Sequence, residues 1–365
     1  TGQSAPLTGG TEMAIRTVTI IGAGAGGCAT AAVLGRKGIK VRLYDISESR
    51  IDLLSRTGGL YVIEESGDEF VPISLATTDL AEALEGTDLI QVMTSAAGQR
   101  GVARALAPHL RDGHRVLICS GASGSLEFAR MWREMGVAAD VLLGETVTLP
   151  QSARLREDAR LIIRLPARLR TAAFPGERTA ELCDLVSELY DIIPVRDVLD
   201  TGLNNPNFLI HPVPMVLNYT AVERSDGLFS LMNEGMTRGT LRAFDAFDCE
   251  RMALAARLGL PVLSVDEIYT EFGSSPAVYR EPGEPMGIKD RIHDRYLDDD
   301  IPFGSMLLAS LGDQIGVDTP VVDATNALAC IITGKDYWGA ARTCEKLGLA
   351  GMSVQRIVEF VQKGS

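Results

Sequence analysis

Short apolar segments alternate with helical segments over the first 200 residues. Runs rich in Val, Ile and Leu, bounded by Gly, Asp or small polar residues, predict strands at 17–21, 41–44, 89–93, 115–119, 140–143, 161–165 and 191–196. Segments with helical spacing lie between them, at 28–38, 47–57, 78–84 and 176–190. Because a strand joined to the next one through a helix favours parallel pairing, this half of the chain predicts a right-handed parallel sheet.

The second half of the chain has a different pattern. From Leu203 onward strand patterns nearly disappear, and helical periodicity predicts helices at 237–258, 265–272, 301–311, 320–333, 338–347 and 353–362. With 365 residues, of which 46% are hydrophobic, the chain is large enough for two domains. We therefore expect an α/β domain at 15–200 and an all-α substrate or catalytic domain at 201–362, after a disordered leader at 1–14.

A glycine-rich turn joins the first predicted strand to the first predicted helix. Gly22, Gly24 and Gly27 fit the spacing G-x-G-x-x-G, with Ala25 and Gly26 between them. The first glycine permits a tight turn, the second lets the backbone approach a pyrophosphate, and the third lets the helix lie close to the strand. The phosphates would bind to the free N–H groups at the start of the helix. This segment predicts a Rossmann-type, doubly wound sheet that binds a dinucleotide.

An acidic residue follows the second predicted strand, where dinucleotide-binding folds recognise the ribose. Asp45 lies 18 residues after Gly27. A carboxylate there accepts hydrogen bonds from the adenosine ribose and repels a 2′-phosphate, so NAD is the favoured cofactor. Arg42 precedes the acid and Arg50 follows it. Since either arginine could bind a 2′-phosphate, NADP stays an open alternative.

Small polar residues follow three of the predicted strands. They are Thr94-Ser95 after 89–93, 120–124 after 115–119, and Gly144-Glu145-Thr146 after 140–143. In a doubly wound sheet the carboxyl ends of the strands line the ligand crevice. We therefore expect Thr94 and Ser95 to contact the cofactor and Thr146 to contact the substrate.

Composition narrows the classes of function. The formal net charge of −13 opposes binding to nucleic acid or to an anionic membrane surface. No uncharged apolar run of about 18 residues is available to span a membrane. The six cysteines are scattered, without a C-x-x-C motif or a histidine at ligand spacing, so we expect reduced thiols, no metal site and a cytoplasmic protein.

Two stretches have compositions that simple helix packing does not explain. His211 lies in 205–218, where asparagines and prolines are frequent, and Arg295 and Asp300 lie in the charged stretch 289–304. Each stretch also admits a plain interpretation, as a packed core histidine and as a solvated loop before a helix. A histidine, a carboxylate and an arginine are, however, the groups needed to polarise a carbonyl or imine and to bind a carboxylate.

Both stretches resemble the octopine/nopaline dehydrogenase family. The resemblance rests on Asn-x-x-x-x-x-His-Pro-x-Pro-x-x-Leu-Asn at 205–218 and on Arg-Tyr-x-x-x-Asp-Ile-x-x-Gly at 295–304, and also on 319–324, 342–351, 144–146 and the glycine-rich turn. It covers the chain from about Ile15 onward and is strongest with bacterial enzymes of the N-(1-carboxyethyl)norvaline dehydrogenase type. Asp299 stands where the family commonly has glutamate. The implied fold is a Rossmann domain followed by an all-α domain, similar to 6-phosphogluconate dehydrogenase.

The resemblance implies roles for several residues. His211 corresponds to the catalytic histidine, and Asp300 to the aspartate that orients its ring and stabilises its charged form. Arg295 corresponds to an arginine that binds the carboxylate of an α-keto acid, and Asn218 and Thr146 are expected in the substrate site. The implied reaction is the NADH- or NADPH-dependent reductive condensation of a pyruvate-like α-keto acid with the amino group of an L-amino acid. A homodimer is also implied.

Two other interpretations stay open. The first is a reductase of the ketopantoate or 2-hydroxy acid type. Ketopantoate and 6-phosphogluconate type reductases share the Rossmann plus helical layout but rely on a lysine near the nicotinamide, and no lysine lies between Lys40 and Lys289. A catalytically silent NAD-binding sensor would bind the dinucleotide without turnover. The presence of His211, Arg295 and Asp300 together favours the enzyme over the sensor.

Overall fold

The computed structural model describes residues 14–65, 67–156, 158–166, 168–281 and 295–365, without the side chains of residues 164–166 and 295. All but the last residue of the predicted leader at 1–14 lie outside this range. Within it, no helix combines the length and the apolar character needed to cross a membrane.

An eight-stranded sheet forms the centre of the N-terminal half. The strands of the chain are β1 (Thr17–Ile21), β2 (Lys40–Tyr44), β3 (Gly59–Glu64), β4 (Gly67–Pro72), β5 (Leu75–Thr77), β6 (Leu89–Val92), β7 (Arg115–Cys119), β8 (Leu142–Thr146), β9 (Gln151–Leu155), β10 (Arg160–Pro166), β11 (Leu169–Phe174) and β12 (Ile192–Pro194). The order in the large sheet is β12-β11-β8-β7-β6-β1-β2-β5. All its neighbours pair in parallel except β8 and β11. The predicted Rossmann-type parallel sheet is thereby confirmed, with one antiparallel pair that was not predicted.

Helices surround the sheet and form the second half. They are α1 (Ala25–Arg36), α2 (Glu48–Thr57), α3 (Leu80–Leu84), α4 (Ala96–Leu106), α5 (Gly124–Glu134), α6 (Thr179–Val186), α7 (Val198–Leu203), α8 (Asn207–Ile210), α9 (Pro212–Arg224), α10 (Arg238–Arg257), α11 (Val265–Glu271), α12 (Ala277–Arg280), α13 (Arg295–Asp300), α14 (Met306–Ile315), α15 (Pro320–Thr333), α16 (Tyr337–Ala340) and α17 (Val354–Lys363). Single 3-10 turns cover Ala107–His109 and Gly176–Arg178, and π-helical turns cover Leu231–Gly235 and Ile301–Ser305. Among the described residues no strand follows β12, so the predicted all-α second half is confirmed.

A second sheet, of order β4-β3-β10-β9, packs against α1 and was not predicted. Gln151 of β9 donates a hydrogen bond of 2.6 Å to the hydroxyl of Thr30 in α1. The strand predicted at 161–165 belongs to this sheet, as β10, and not to the large one. In β4 only Val71 is buried, so the strand lacks the apolar run by which it could have been recognised.

Two further predictions were wrong in their boundaries. β8 begins at Leu142 and continues through Thr146, so Gly144-Glu145-Thr146 form a buried strand and not the predicted loop. The helix predicted at 338–347 is also interrupted, because α16 ends at Ala340 and the chain then turns.

The packing of the two halves places the candidate site. Side chains from the sheet edge and from the helical half share one apolar cluster, which includes Phe174, Val198, Phe208, Phe244 and Leu307. Thr201 of α7 donates to Glu145 of β8, and Asn205 donates to Ser120 directly after β7, so α7 lies beside the carboxyl ends of these two strands. In the large sheet β1 lies between β2 and β6, so the strand order reverses there and a ligand crevice is expected beyond these strand ends.

Candidate active site

His211 and Asp300 come together from two helices of the helical half that are far apart in the sequence. His211 is the residue between α8 and α9, and Asp300 is the last residue of α13. The His211 Nδ1 atom lies 2.7 Å from Asp300 Oδ2, and the two side chains are 15% and 13% exposed. A carboxylate that accepts a hydrogen bond from Nδ1–H fixes the ring tautomer and favours the charged imidazolium. Nε2 is then the nitrogen that can exchange a proton with a substrate.

Tyr296 stacks on the imidazole of His211. The ring centroids are 4.0 Å apart and the planes are inclined by 27°. Tyr296 lies one helical turn before Asp300 in α13, so the same helix face holds both side chains against the histidine. No role was predicted for Tyr296 from the sequence, although its spacing of four residues from Asp300 is typical of two residues on one helix face.

Asparagines and prolines in 205–218 build the local structure around His211. The Asn205 Oδ1 atom accepts a hydrogen bond of 3.0 Å from the N–H of Asn207, at the start of α8. The Asn205 amide also donates to the Ser120 hydroxyl, at 3.3 Å. Pro212 begins α9, where a missing N–H leaves no hydrogen bond unmade. The unusual composition therefore supports the start of one helix before the histidine and the start of the next helix directly after it.

A π-helical turn, Ile301–Ser305, follows Asp300 directly and joins α13 to α14. A Cβ atom on Gly304 would lie 2.2 Å from the ring of Phe208 in α8. Only glycine therefore permits this close approach between the turn and α8. Because Phe208 precedes His211 by three residues, the contact helps to set the distance between His211 and Asp300. Such turns inside helices are frequent at functional sites.

The predicted dinucleotide loop has the geometry that a pyrophosphate requires. Gly22 has a φ of +111°, and a Cβ on Gly27 would lie 1.8 Å from the carbonyl oxygen of Gly22, so both positions exclude other residues. A Cβ on Gly24 would meet no atom within 4 Å. Ala25 and Gly26 begin α1, whose first turn holds no acidic residue. The loop therefore leaves the helix start open to a phosphate, as the fingerprint requires.

Asp45 lies beside this loop. Its Oδ2 atom accepts a hydrogen bond of 2.7 Å from the N–H of Ala23, and its Oδ1 atom accepts one of 2.8 Å from the N–H of Ser47. Asp45 is 7% exposed and Arg50 lies 3.5 Å from it. The Asp45 carboxylate thus fixes the glycine-rich loop, in addition to making its predicted contact with the ribose. Arg50 partly compensates the negative charge of Asp45.

Thr94 and Ser95 lie where β6 ends and α4 begins. A Cβ on Gly22 would be 3.2 Å from the Cγ2 atom of Thr94, so the threonine borders the glycine-rich loop. Among the described residues the buried Oγ1 atom of Thr94 has no hydrogen-bond partner. Ser95 is the N-cap residue of α4 without a side-chain cap bond. Both side chains therefore have polar atoms at the strand ends where the cofactor is predicted to bind.

Three residues predicted to bind substrate have different surroundings. The Thr146 hydroxyl is fully buried, accepts from the N–H of Ser120 at 3.2 Å and donates to the carbonyl oxygen of Thr148 at 2.6 Å, so its position favours a structural role. The Asn218 amide donates to the carbonyl oxygens of Pro214 and Gly235, at 2.8 and 3.1 Å. The side chain of Arg295 lies outside the described residues.

Glu145 is a buried acid for which the sequence predicted no separate role. Its carboxylate accepts hydrogen bonds from the N–H groups of Ser123 and Ser125 and from the hydroxyls of Ser125 and Thr201, at 2.7 to 2.9 Å. Burial raises the pKa of the Glu145 carboxyl, against the opposing effect of these donors. In the loop that Glu145 holds, Ser120, Ala122 and Ser123 have φ values of 65°, 51° and 61°. We call residues 120–124 the serine loop.

The cysteines and acids form no metal site within the described part of the chain. No group of three or more His, Cys, Asp or Glu side chains is placed to hold a metal ion. All six cysteines are free, and burial raises the pKa of the Cys28 and Cys119 thiols to about 12. These two thiols are therefore protonated and unreactive at neutral pH.

Comparison with known proteins connects this geometry to a family. Residues 194–333 match the model described as "NAD/NADP octopine/nopaline dehydrogenase, alpha-helical domain", and residues 17–124 match "NAD-dependent glycerol-3-phosphate dehydrogenase N-terminus". An opine dehydrogenase of Arthrobacter sp. (strain 1C) is 31% identical over 357 residues, which cover 95% of this chain and 99% of the relative. The chain belongs to the octopine/nopaline dehydrogenase family.

Solved structures of opine dehydrogenases share the fold. Octopine dehydrogenase with NADH and L-arginine aligns with a TM-score of 0.72 at 18% identity, and yersinopine dehydrogenase with NADP⁺ bound aligns with a TM-score of 0.67 at 13% identity. Each alignment covers 96% of this chain and 98% of the other. The family resemblance expected from the sequence is thus confirmed, together with its NAD(P) dependence. As a member of this family, the chain is an NAD(P)-dependent oxidoreductase that couples an α-keto acid to the amino group of an amino acid by reductive condensation.

Proposed function

We propose that His211 and Asp300 are the acid–base pair of this reductive condensation. The observation that carries the proposal is the 2.7 Å contact between His211 Nδ1 and Asp300 Oδ2, on a ring that Tyr296 holds in place. A histidine oriented in this way can accept a proton from the substrate ammonium group, which frees the amine to attack the keto carbon, and can return that proton to the carbinolamine hydroxyl, which departs as water. Asp300 stabilises the imidazolium that forms between these two events.

The two halves of the molecule supply different parts of the chemistry. Bound NADH or NADPH supplies the hydride that reduces the imine carbon. The glycine-rich loop, with Gly22, Gly24 and Gly27, holds the dinucleotide, and Asp45 recognises its ribose. Closure of the helical half over this loop excludes water, which protects the imine from hydrolysis. We propose NADH as the preferred cofactor because the Asp45 carboxylate repels a 2′-phosphate, whereas Arg50 at 3.5 Å allows NADPH to be used less efficiently.

We propose that the α-keto acid is pyruvate or a close analogue and that its partner is an L-amino acid. Octopine dehydrogenase, a solved relative, has structures with NADH and pyruvate and with NADH and L-arginine, which supports this pair of substrate classes. Arg295, the residue before Tyr296, is proposed to bind the keto acid carboxylate with its planar guanidinium fork. Asn218 is proposed to face the substrate through its amide oxygen, since its amide nitrogen is bonded to the backbone. Thr146 is proposed to support the site through Ser120.

We further propose a domain boundary near residue 200, with the dinucleotide-binding domain at 15–200 and the substrate domain at 201–362. The support is that β12 ends at Pro194 and that helices account for the regular structure described after it. A cytoplasmic location is consistent with six free cysteines. A homodimer is proposed from the family, and a mass measurement that finds only monomer at working concentration would refute it.

NADH oxidation tests the reaction directly. The loss of NADH absorbance is followed with pyruvate and each member of a panel of amino acids, with controls that omit either the amine or the keto acid. We expect oxidation only when both substrates are present. Oxidation with the keto acid alone would identify a simple keto acid reductase and refute the proposal. Binding of NADH without turnover across the whole panel would favour the silent sensor.

A further inference from the structure

Arg342 is a fully buried arginine at the start of the family motif 342–351. The proposed reaction gives this motif no role. Arg342 follows α16 and has 0% exposure. Its guanidinium donates to the carbonyl oxygens of Gly121 and Ala122, at 2.7 and 3.1 Å, and to the side chains of Gln99 and Glu127, at 2.5 and 2.9 Å. Arg342 therefore bonds to the serine loop and to two helices of the dinucleotide-binding half.

The same residue also holds the turn that follows Asp300. The Arg342 N–H donates a hydrogen bond of 2.8 Å to the carbonyl oxygen of Pro302. The Arg342 Cζ atom lies 5.2 Å from the ring centroid of Phe303, and the Cζ atom of Arg100 lies 5.7 Å from that centroid. Arg100 in turn pairs with Glu127. The turn Ile301–Ser305 is thus held on Arg342 by a backbone hydrogen bond and a cation–π contact, and on Arg100 of the dinucleotide-binding half by a second cation–π contact.

The serine loop supports both members of the proposed acid–base pair. On one side its Ser120 hydroxyl accepts from Asn205, whose side-chain oxygen accepts from the N–H of Asn207 at the start of the helix that leads to His211. On the other side its carbonyl oxygens accept from Arg342, whose N–H holds the turn that leads from Asp300. A single loop therefore relates the two side chains to each other and to the strand ends at which the cofactor binds.

A guanidinium is well suited to this place because it offers five donors in a rigid plane. Four of its acceptors lie in the serine loop, α4 and α5, and the flat face of the group is free to contact Phe303. Lysine keeps the charge but has three donors and no planar face. It therefore cannot satisfy these acceptors and contact Phe303 at the same time.

We propose that Arg342 is a positioning residue for the condensation reaction, which fixes Asp300 against His211 by holding the turn Ile301–Ser305 on the serine loop. This inference rests on the proposed function of His211 and Asp300. It goes beyond that function because it makes the geometry of the pair depend on a residue that touches neither the pair nor the cofactor loop.

A double-mutant cycle between Arg342→Lys and Asp300→Asn tests the proposal. We expect Arg342→Lys to lower kcat by about tenfold or more, because a displacement of about 1 Å at the reacting groups can cost about 100-fold. Binding of NADH, measured by fluorescence, should change by less than about twofold, since the glycine-rich loop is untouched. In the Asp300→Asn background the same change should have almost no further effect on kcat, because the group that Arg342 positions is already disabled.

The outcomes separate this inference from the proposed function. Asp300→Asn with undiminished turnover would overturn the proposed acid–base pair before Arg342 is changed at all. If Asp300→Asn loses about 100-fold in kcat as expected, the inference is overturned by Arg342→Lys with wild-type kcat, or by equal losses of kcat in both backgrounds. Equal losses would mark a merely structural residue.

Two further variants distinguish a positioning role of Arg342 from a general folding defect. Phe303→Leu keeps the pair of Arg342 with Glu127 but removes the aromatic face, and it should show the same non-additivity with Asp300→Asn. Arg170→Lys is the matched control, since Arg170 is 7% exposed and also joins the sheet to the helical half, through Asp200 and Glu271, at 3.2 and 2.6 Å. Its kcat should stay within about twofold of wild type. A tenfold loss in Arg170→Lys would overturn the assignment of a special role to Arg342.

Discussion

The phenol ring of Tyr296 stacks on the imidazole of His211, with the ring centroids 4.0 Å apart. We predict that Tyr296→Leu lowers kcat by about tenfold, because the imidazole loses the surface that fixes its plane relative to the substrate. Tyr296→Phe keeps the stacked face and should keep most of the activity. Steady-state kinetics of both variants checks this. Equal kcat values for the leucine and phenylalanine variants would contradict a role for the stacking.

The pairing of His211 with Asp300 predicts a larger loss of turnover than the stacking of Tyr296 does. His211→Ala, Asp300→Ala and Asp300→Asn should each lower turnover by at least about 100-fold, as expected when a group that moves a proton or stabilises transition-state charge is removed. NADH affinity should change little. Asp298→Asn is a matched control, because Asp298 lies in the same helix but pairs with Lys335, at 2.8 Å, on the surface. Near-wild-type turnover in any variant of His211 or Asp300 would refute the assignment.

The space beside Gly24 leads to a prediction about cofactor binding. A Cβ at this position meets no atom of the protein within 4 Å, and the backbone φ of −76° is accessible to alanine. Gly24→Ala should therefore fold with wild-type stability but weaken NADH binding by about tenfold or more, because the methyl group enters the space that the pyrophosphate needs. Thermal unfolding and an NADH titration measure the two effects. Unchanged NADH affinity would show that the dinucleotide does not approach this glycine.

Asp45 and Arg50 set the expected cofactor preference. Asp45→Asn removes the charge that repels a 2′-phosphate, while Arg50, at 3.5 Å, stays available to bind one. The ratio of kcat/KM for NADPH to that for NADH should rise by about tenfold, because contacts between like charges are costly. Glu48 is an exposed acid of α2, the helix that contains Arg50, and Glu48→Gln should leave this ratio unchanged. An unchanged ratio in Asp45→Asn would mean that Asp45 serves the loop alone.

The sequence predicted the elements whose burial pattern is regular. β1 and β7 have the predicted limits, and so does α15, because long apolar runs and Gly or Pro boundaries mark them directly. Strand β4 of the second sheet escaped prediction because five of its six residues are exposed, so that no apolar run marks it. The predicted helix at 338–347 failed because Arg342 forms tertiary hydrogen bonds to Pro302 and to the serine loop, which a local pattern cannot reveal.

The candidate site could be predicted only in part. The glycine-rich loop and Asp45 follow a short local pattern, so their position in the chain is informative by itself. His211 and Asp300 are 89 residues apart, and no spacing rule indicates that their side chains are 2.7 Å apart. Their pairing followed from the family motifs. The supports of the pair, from the serine loop to Arg342, depend on tertiary contacts and became visible only in the fold.

The ion pair between Glu127 and Arg342 predicts how stability depends on pH. Glu127 is 4% exposed and lies 2.9 Å from Arg342. Burial alone would raise the pKa of the Glu127 carboxyl, but the charge of Arg342 and the hydrogen bond from Arg100 outweigh it and lower the pKa from its ordinary value of 4.5. Because the folded pKa lies below the unfolded one, the stabilisation is fully present above the ordinary value and is lost as the pH falls through the folded pKa.

Glu127→Gln should therefore cost stability in a pH-dependent manner. At neutral pH we expect a loss of roughly 3–5 kcal/mol, because the substitution leaves the guanidinium of Arg342 buried without its charged partner. The difference from wild type should shrink as the pH falls below the ordinary carboxyl pKa, and urea unfolding at a series of pH values measures it. Glu181→Gln is the control, since Glu181 pairs with Arg178 on the surface, at 2.8 Å, and solvent screening limits its effect to about 1 kcal/mol or less. A loss in Glu127→Gln that stays constant down to acid pH would show that the carboxylate charge does not stabilise Arg342, and that the contact between the halves depends on packing alone.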